Sequence, residues 1–411
     1  MQALAGIRVA DFSHVMAGPY ASYLLRLLGA EVIKIEAPGI GDPMRHYGSD
    51  RSYDGMAPAF IAVNAGKKSI VLDLKDPAQL EVARRIVKES DVLLENFRPG
   101  VMARLGLGYD AVKELNPAIV YCSVSGYGQS GPQRDWPAID NIVQATSGMM
   151  SLGGGEDGAP ARVGFPVVDT LTGQTAAFAI LSALMRRERE KGKDGGDSRG
   201  EFIDVAMLDA TLAFMTSAVV PYLVTGKTLA RTGNVGYSGQ PTSALFTARD
   251  GRRISLGVVQ QHQFVTLANF LGRADWLQDP RYATSDKRRE NADALLAELG
   301  AELLTRDAAD WETAMSAAGI PCGMVRDVSE AVAFPQLHAR NTLLPLTIPG
   351  LPKNEQVHVV NAGFSTTQDG PGIDTAPPRL GEHGAEILRW LGYSDEQVAA
   401  LSATAKPARK D

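Results

Sequence analysis

Residues 7–36 read IRVADFSHVMAGPYASYLLRLLGAEVIKIE. Ile7 to Phe12 carry the apolar, β-branched character of a strand. Tyr20 to Leu28 carry a helical pattern that stops at Gly29, a residue suited to ending a helix. Glu31 to Glu36 form a second strand. A strand, a helix and a strand in succession predict two parallel strands joined by a right-handed crossover.

The same alternation continues outward from this stretch. Pro and Gly punctuate 38–43 as a loop. Strands are predicted at Ser69–Asp73, Asp91–Glu95 and Ile119–Val124. A helix is expected over Pro77–Ser90, with proline in its first turn, and helical turns over Val101–Leu115. The fold class is therefore α/β, with a parallel sheet covered by helices on both faces. Ligands of such sheets sit beyond the carboxyl ends of the strands.

The second half is more mixed. Arg186 to Glu201 are charged and glycine-rich, a solvated loop. A strand at Phe202–Val205 and a helix over Leu208–Val224 follow, then a glycine-rich loop at 231–241. A strand at Arg253–Val259 and helices at 263–271, 290–304 and 311–318 suggest a smaller α+β domain near 226–325, with Met324 opening another strand. Residues 345–379 read as largely extended. Helices close the chain at 382–391 and 395–401, before a frayed tail at 405–411. The expected division is 1–200 with 330–411 as a large domain, 201–225 as a linker, and 226–325 as a small domain.

Composition narrows the functions. The 411 residues exceed one ordinary core. A net charge of -6 disfavours nucleic acid as the main partner. No secretory leader pattern and no run of about 18 apolar residues is read, so neither export nor membrane insertion is expected. The two cysteines, Cys122 and Cys322, are far apart, which suits a reducing cytoplasm and no disulfide framework. The six histidines have no metal-site spacing, so no metal is expected.

Motif searches remove further chemistry. Gly126-Tyr-Gly-Gln-Ser-Gly131 matches a dinucleotide fingerprint, but Pro132 and Pro137 follow where a helix must open. Gly153 to Gly158 lack the lysine of a phosphate-binding loop. No serine elbow occurs. A carboxylate is left as the main reactive group. Asp169, in Gly164-Phe-Pro-Val-Val-Asp-Thr-Leu-Thr-Gly173, ends a short apolar run before a helical pattern over Gln174–Arg187. That position is a helix cap, whose free N–H groups and dipole favour the ionised carboxylate. The capping-box partner is missing, since Thr172 stands three residues on.

Several segments, in order and over essentially the whole chain, resemble class III CoA-transferases, the group of formyl-CoA transferase, carnitine CoA-transferase and the α-methylacyl-CoA racemases. They are Leu4 to Pro19, Leu28 to Pro38, Gly41-Asp-Pro-Met-Arg45, Asn64 to Lys75, Glu95-Asn-Phe-Arg-Pro-Gly100, Ser125 to Pro132, the decapeptide around Asp169, Asp279-Pro-Arg-Tyr282, Arg289-Glu-Asn291 and Arg379-Leu-Gly-Glu-His383. The resemblance implies a Rossmann-like large domain of N- and C-terminal parts, a smaller inserted domain and an interlocked homodimer. It implies Asp169 as a nucleophile that carries CoA from an acyl-CoA donor, succinyl-CoA being the family-based choice, to a small carboxylic acid. The intermediates are an aspartyl anhydride and an aspartyl-CoA thioester. Acyl-CoA is then a substrate, with no tightly bound cofactor.

The resemblance also suggests His14, Met16, Ala17, Leu72, Lys75, Asn96, Phe97, Arg98 and Arg104 as CoA contacts. Lys and Arg suit phosphates. Ala37 and Pro38 stand where the family often has a basic residue. Met16 replaces a glutamine of formyl-CoA transferase and disfavours a formyl-specific enzyme. Gly236, Tyr237, Gly239 and Gln240 look like the loop that covers the nucleophile. Ile139 stands where the racemases carry a histidine and cannot move a proton. An α-methylacyl-CoA racemase and a non-catalytic CoA-binding protein remain as alternatives.

Overall fold

The computed structural model describes residues 1–154, 158–191, 199–229, 231, 233 and 235–404. The tail at 405–411, part of the charged loop at 186–201, and part of the glycine-rich stretches at 153–158 and 231–241 lie outside the described residues. The chain clusters into two units. The larger holds 1–149, 162–226 and the chain from Pro335 on, and the smaller holds 150–161 and 227–334.

Six parallel strands organise the larger unit: β1 (Arg8–Asp11), β2 (Glu31–Glu36), β3 (Lys68–Val71), β4 (Val92–Glu95), β5 (Val120–Ser125) and β6 (Glu201–Ala206). Their order is β3-β2-β1-β4-β5-β6. Val9 faces Val32 on one side and Val92 on the other, so the winding reverses between β1 and β4. A crevice forms there because the loops after these two strands leave in opposite directions. The stretch 201–225, expected as a linker, instead begins with β6, paired along its whole length with β5.

Helices cover both faces of the sheet. In chain order the helices up to residue 225 are α1 (Ala17–Leu27), α2 (Pro58–Asn64), α3 (Pro77–Lys88), α4 (Val101–Arg104), α5 (Tyr109–Leu115), α6 (Asp140–Thr146), α7 (Met149–Leu152), α8 (Val167–Lys191), α9 (Met207–Phe214) and α10 (Thr216–Thr225), of which α7 falls mostly in the smaller unit. Successive strand residues point to opposite faces. Ala10, Ile33, Leu93 and Tyr121 pack with Val82 and Ile86 of α3 and with Ile387 and Leu388 near the C-terminus. Val9, Val32, Val92 and Val120 pack with Leu25 of α1 and with Ala176 and Ile180 of α8. Burial on both faces explains why these strands read as near-continuous apolar runs.

Two glycines show how closely the parts approach. A Cβ on Gly173 of α8 would lie 2.5 Å from the Ala17 carbonyl oxygen and 3.0 Å from the Tyr20 ring, so α8 crosses α1 almost backbone to backbone. A Cβ on Gly126 would lie 2.3 Å from that of Ala138. Gly126 thus belongs to a packed turn, and the next long helix after Gly131 opens only at Asp140.

Several boundaries differ from the sequence expectation. The turns at 101–115 split into α4 and α5 around Gly106, whose φ is +70°. The helix expected over 208–224 breaks at Met215, bending α10 by 78° from α9. Residues 345–379 include an antiparallel hairpin, β10 (Leu343–Thr347) with β11 (Gln356–Val360), whose Leu346 and Val359 pack with Tyr23 and Phe60. Helix α8 has the length and apolar composition of a membrane span, contrary to the expectation of none, but it is half-buried inside the fold. The smaller unit has its own antiparallel sheet, β7 (Leu245–Thr247), β8 (Arg253–Leu256) and β9 (Cys322–Met324), over a core with Phe264, Trp276, Leu299 and Trp311. Met324 ends β9 where it was expected to open a strand.

Candidate active site

Beyond the carboxyl ends of β1, β4 and β5 lies a cavity of about 690 Å³ in the larger unit. Asp169 lines it, together with His14, Met16, Ala17, Asn96, Phe97, Arg98 and Ile139. Seven CoA or substrate positions expected from the sequence therefore share one wall with the expected nucleophile. Leu72, Lys75 and Arg104 are not in that wall. Leu72 is buried in the core beside Phe97, and Lys75 and Arg104 are exposed elsewhere.

The loop after β1 is held from three sides. The Asn96 side chain accepts from His14 N–H (2.9 Å) and donates to the His14 carbonyl (2.8 Å), clasping the two loops at the reversal point. Val15 N–H donates to Asp42 (3.1 Å), and Lys34 Nζ donates to the Ser13 carbonyl (2.8 Å). Val15 has φ +66°, a left-handed conformation that strains a β-branched residue. Buried ion pairs under the loop, Lys34–Asp42 at 2.9 Å and Lys67–Asp11 at 3.2 Å, make the surroundings rigid enough to hold it. Burial holds the His14 imidazole in its neutral form by lowering its pKa. Helix α1 then starts at Ala17 with no side chain capping it, so its first turn meets the cavity with no acidic residue of its own.

Asp169 is not a cap. Helix α8 begins at Val167, well before the expected start at Gln174, and Asp169 sits inside its first turn. The run Val-Val-Asp-Thr has weak helix propensity, but Val168 is fully buried and tertiary packing decides. The capping role belongs to Asp140, the first residue of α6. Its Oδ2 accepts from the N–H groups of Val168 (2.7 Å) and Asp169 (3.1 Å), and its Oδ1 accepts from Gln144 Nε2 (2.6 Å). The N–H of Thr170 donates to the Pro166 carbonyl (3.0 Å).

This reverses the expected electrostatics. The N–H groups that were to stabilise an Asp169 carboxylate serve Asp140. Among the described residues, no donor reaches the Asp169 carboxylate. Burial, and then the Asp140 charge, push its pKa up to about 7. Nor is the first turn of α8 open to a developing oxyanion, since the N–H groups of Val167 and Thr170 donate to the Phe165 and Pro166 carbonyls. Glu95, also pushed up to about 7 by burial, accepts from Phe97 N–H (2.8 Å) and shapes the turn that presents Asn96 and Phe97.

Sequence reasoning missed Asp140, Gln144, Arg134 and Arg162, which all line the cavity. Asp140 and Gln144 stand one helical turn apart, a pairing readable in the sequence once α6 is recognised. The expected covering loop lies in the smaller unit. Gly236 N–H donates to the Ser243 carbonyl (2.6 Å) and Gly239 N–H to the Gly236 carbonyl (2.9 Å), with Gly239 at φ +64°. Tyr237 is exposed, whereas Gln240 is buried and donates to Ser285 Oγ (2.8 Å). The Gln240 amide nitrogen is thus engaged within its own unit.

The model of CoA-transferase family III matches residues 4–384. The chain belongs to CoA-transferase family III. It is 40% identical over 389 residues to an acetyl-CoA:oxalate CoA-transferase from Acetobacter aceti, covering 93% of this chain and 94% of that one. It is 36% identical to a succinate–glutarate CoA-transferase from Agrobacterium fabrum, covering 94% and 95%. Among solved structures it resembles a CaiB/BaiF family protein from Brucella suis, with a TM-score of 0.83, 31% identity and coverage of 95% and 99%. This family III protein is a CoA-transferase, a class whose substrates are CoA thioesters, and its candidate site is the cavity at the β1–β4 reversal.

Proposed function

We propose that this CoA-transferase moves CoA from an acyl-CoA to a dicarboxylic acid through covalent intermediates on Asp169. The position of Asp169 in the wall of the cavity at the strand reversal carries the reading. An Asp169 carboxylate oxygen attacks the donor carbonyl; the C–S bond breaks, leaving an aspartyl anhydride and CoA thiolate. The thiolate attacks the aspartyl carbonyl, releasing the donor acid and forming an aspartyl-CoA thioester. The acceptor carboxylate attacks that thioester, and returning thiolate cleaves the second anhydride at the acceptor carbonyl. Asp169 is regenerated with no net proton change.

Under this reading neighbouring groups take particular roles. The uncapped first turn of α1 is the better source of N–H donors for the tetrahedral intermediates, because the amides of α8 are taken by Asp140. Asn96, Phe97 and Arg98 suit the nucleotide end of CoA. Ile139 offers no proton acceptor, which favours transfer over α-proton exchange. Relatives named for oxalate and for glutarate support a dicarboxylic acceptor, and succinyl-CoA is the donor we favour. Exposed apolar side chains on α8 to α10, including Phe178, Met185, Phe214 and Leu223, support a homodimer. Two widely separated free cysteines, Cys122 and Cys322, fit action in the cytoplasm.

Turnover in the presence of hydroxylamine tests the mechanism. The expected result is a hydroxamate at Asp169 by mass spectrometry, and a loss of transfer of roughly 10³-fold or more in Asp169→Ala. Undiminished transfer by that variant would overturn it.

A further inference from the structure

A dicarboxylic acid presents one carboxylate to the nucleophile and must place the other. The second carries a full charge into a site that already holds Asp140 and Asp169. Unless a cation meets it, like-charge repulsion and lost hydration oppose binding. Three arginines line the cavity: Arg98, Arg134 and Arg162. Arg98 stands beside Asn96 and Phe97. Arg134 already has the Asp135 carboxylate at 3.5 Å. Arg162 has no carboxylate partner among the described residues.

Arg162 is also tied to the nucleophile by a short chain of hydrogen bonds. The next residue, Val163, donates its N–H to Gln144 Oε1 (2.9 Å). Gln144 Nε2 donates to Asp140 Oδ1 (2.6 Å), and Asp140 Oδ2 accepts from the N–H groups of Val168 and Asp169. Gln144 itself is 1% exposed. The backbone that carries Arg162 is thereby fixed relative to the helix turn that carries Asp169. The guanidinium remains exposed at the cavity wall, with a planar fork that suits a carboxylate.

We infer that Arg162 receives the distal carboxylate of the acid and so selects dicarboxylic over monocarboxylic acceptors; this rests on the CoA-transfer reading above. A monocarboxylate of equal length leaves Arg162 in water and gains nothing from it. Because the second half of the reaction is the first in reverse, the same arginine meets the free end of a dicarboxylic acyl group arriving as its CoA thioester.

The test compares wild type, Arg162→Gln and Arg162→Lys with succinyl-CoA at saturation and either glutarate or valerate as acceptor. Affinity for free CoA is measured by calorimetry alongside. In Arg162→Gln the kcat/KM for glutarate is expected to fall about 10- to 100-fold, the range for losing a charge-assisted hydrogen bond. The kcat/KM for valerate and the Kd for CoA should stay within about twofold, well inside that range. Arg162→Lys should recover part of the loss, since it keeps the charge without the fork. Glutarate and valerate changing together, or a weakened CoA affinity in place of the glutarate effect, would overturn the assignment. So would a wild type that takes valerate as readily as glutarate. A wild type that transfers CoA to no acid would overturn the underlying reading instead.

Discussion

Asp140 accepts the backbone N–H of Asp169 at 3.1 Å with the same oxygen that accepts Val168 N–H at 2.7 Å. One carboxylate thus caps the helix that carries the other. The helix end can stabilise only so much negative charge, and Asp140 takes it. Asp169 is left half-buried, beside a like charge and with no donor among the described residues, so a proton competes for it near neutral pH.

The rate of transfer should therefore follow the ionisation of Asp169. The proposed nucleophile is the carboxylate form, so kcat/KM for the acyl-CoA is expected to rise with pH through about 7 and level off above it. Asp140→Asn keeps an oxygen to accept the two N–H groups but removes the charge. Its pH profile should shift downward by about one unit, a size typical of a close charge in a partly solvated site. A profile that stays in place in this variant would show that Asp140 does not set the ionisation of Asp169.

Stability should move in the opposite sense to activity. With its folded pKa raised from 3.8 to about 7, Asp169 binds a proton in the folded chain that the unfolded chain has lost. Its contribution thus falls as pH rises from about 4 to about 7 and is constant above. Asp169→Asn does not titrate. It is expected to be more stable than wild type by roughly 2 kcal/mol at pH 8, discounted for partial exposure, and to show no gain at pH 4. Urea unfolding at the two pH values measures the difference.

Gly173 ties this chemistry to helix packing. Gly173→Ala would place a methyl carbon 2.5 Å from the Ala17 carbonyl oxygen, against backbone that cannot swing aside. Helix α8 must move off α1, at a cost of about 1–3 kcal/mol for overpacking. Asp169 lies one helical turn before Gly173, and Ala17 lines the same cavity. Transfer activity should fall along with the melting temperature. Unchanged values of both would show that α8 and α1 do not cross in backbone contact at Gly173.

Much of the large unit is legible from sequence because its signals are local. The strands at 7–12, 31–36, 91–95 and 119–124 are apolar runs set between turn residues, and each forms a strand of the sheet within a residue or two. The strand at 202–205 is equally legible. Its partner is not, because pairing with β5 joins residues some eighty positions apart. The hairpin at 343–360 escaped because prolines and glycines around it mimic an extended loop. The sequence pattern starts helix α8 too late because two valines and two threonines near its start have low helix propensity, which burial overrides.

The candidate site divides in the same way. Sequence alone singled out the candidate residue type and its position, because setting aside metals, thiols and a serine elbow left a carboxylate, and the resemblance selected Asp169. It also supplied the loops at His14–Ala17 and Asn96–Arg98, which follow strand ends. Only the tertiary structure decided what state that carboxylate is in. Its ionisation depends on burial and on Asp140, a side chain arriving from another helix. Such effects come from distances across the fold, which no local pattern in the chain records.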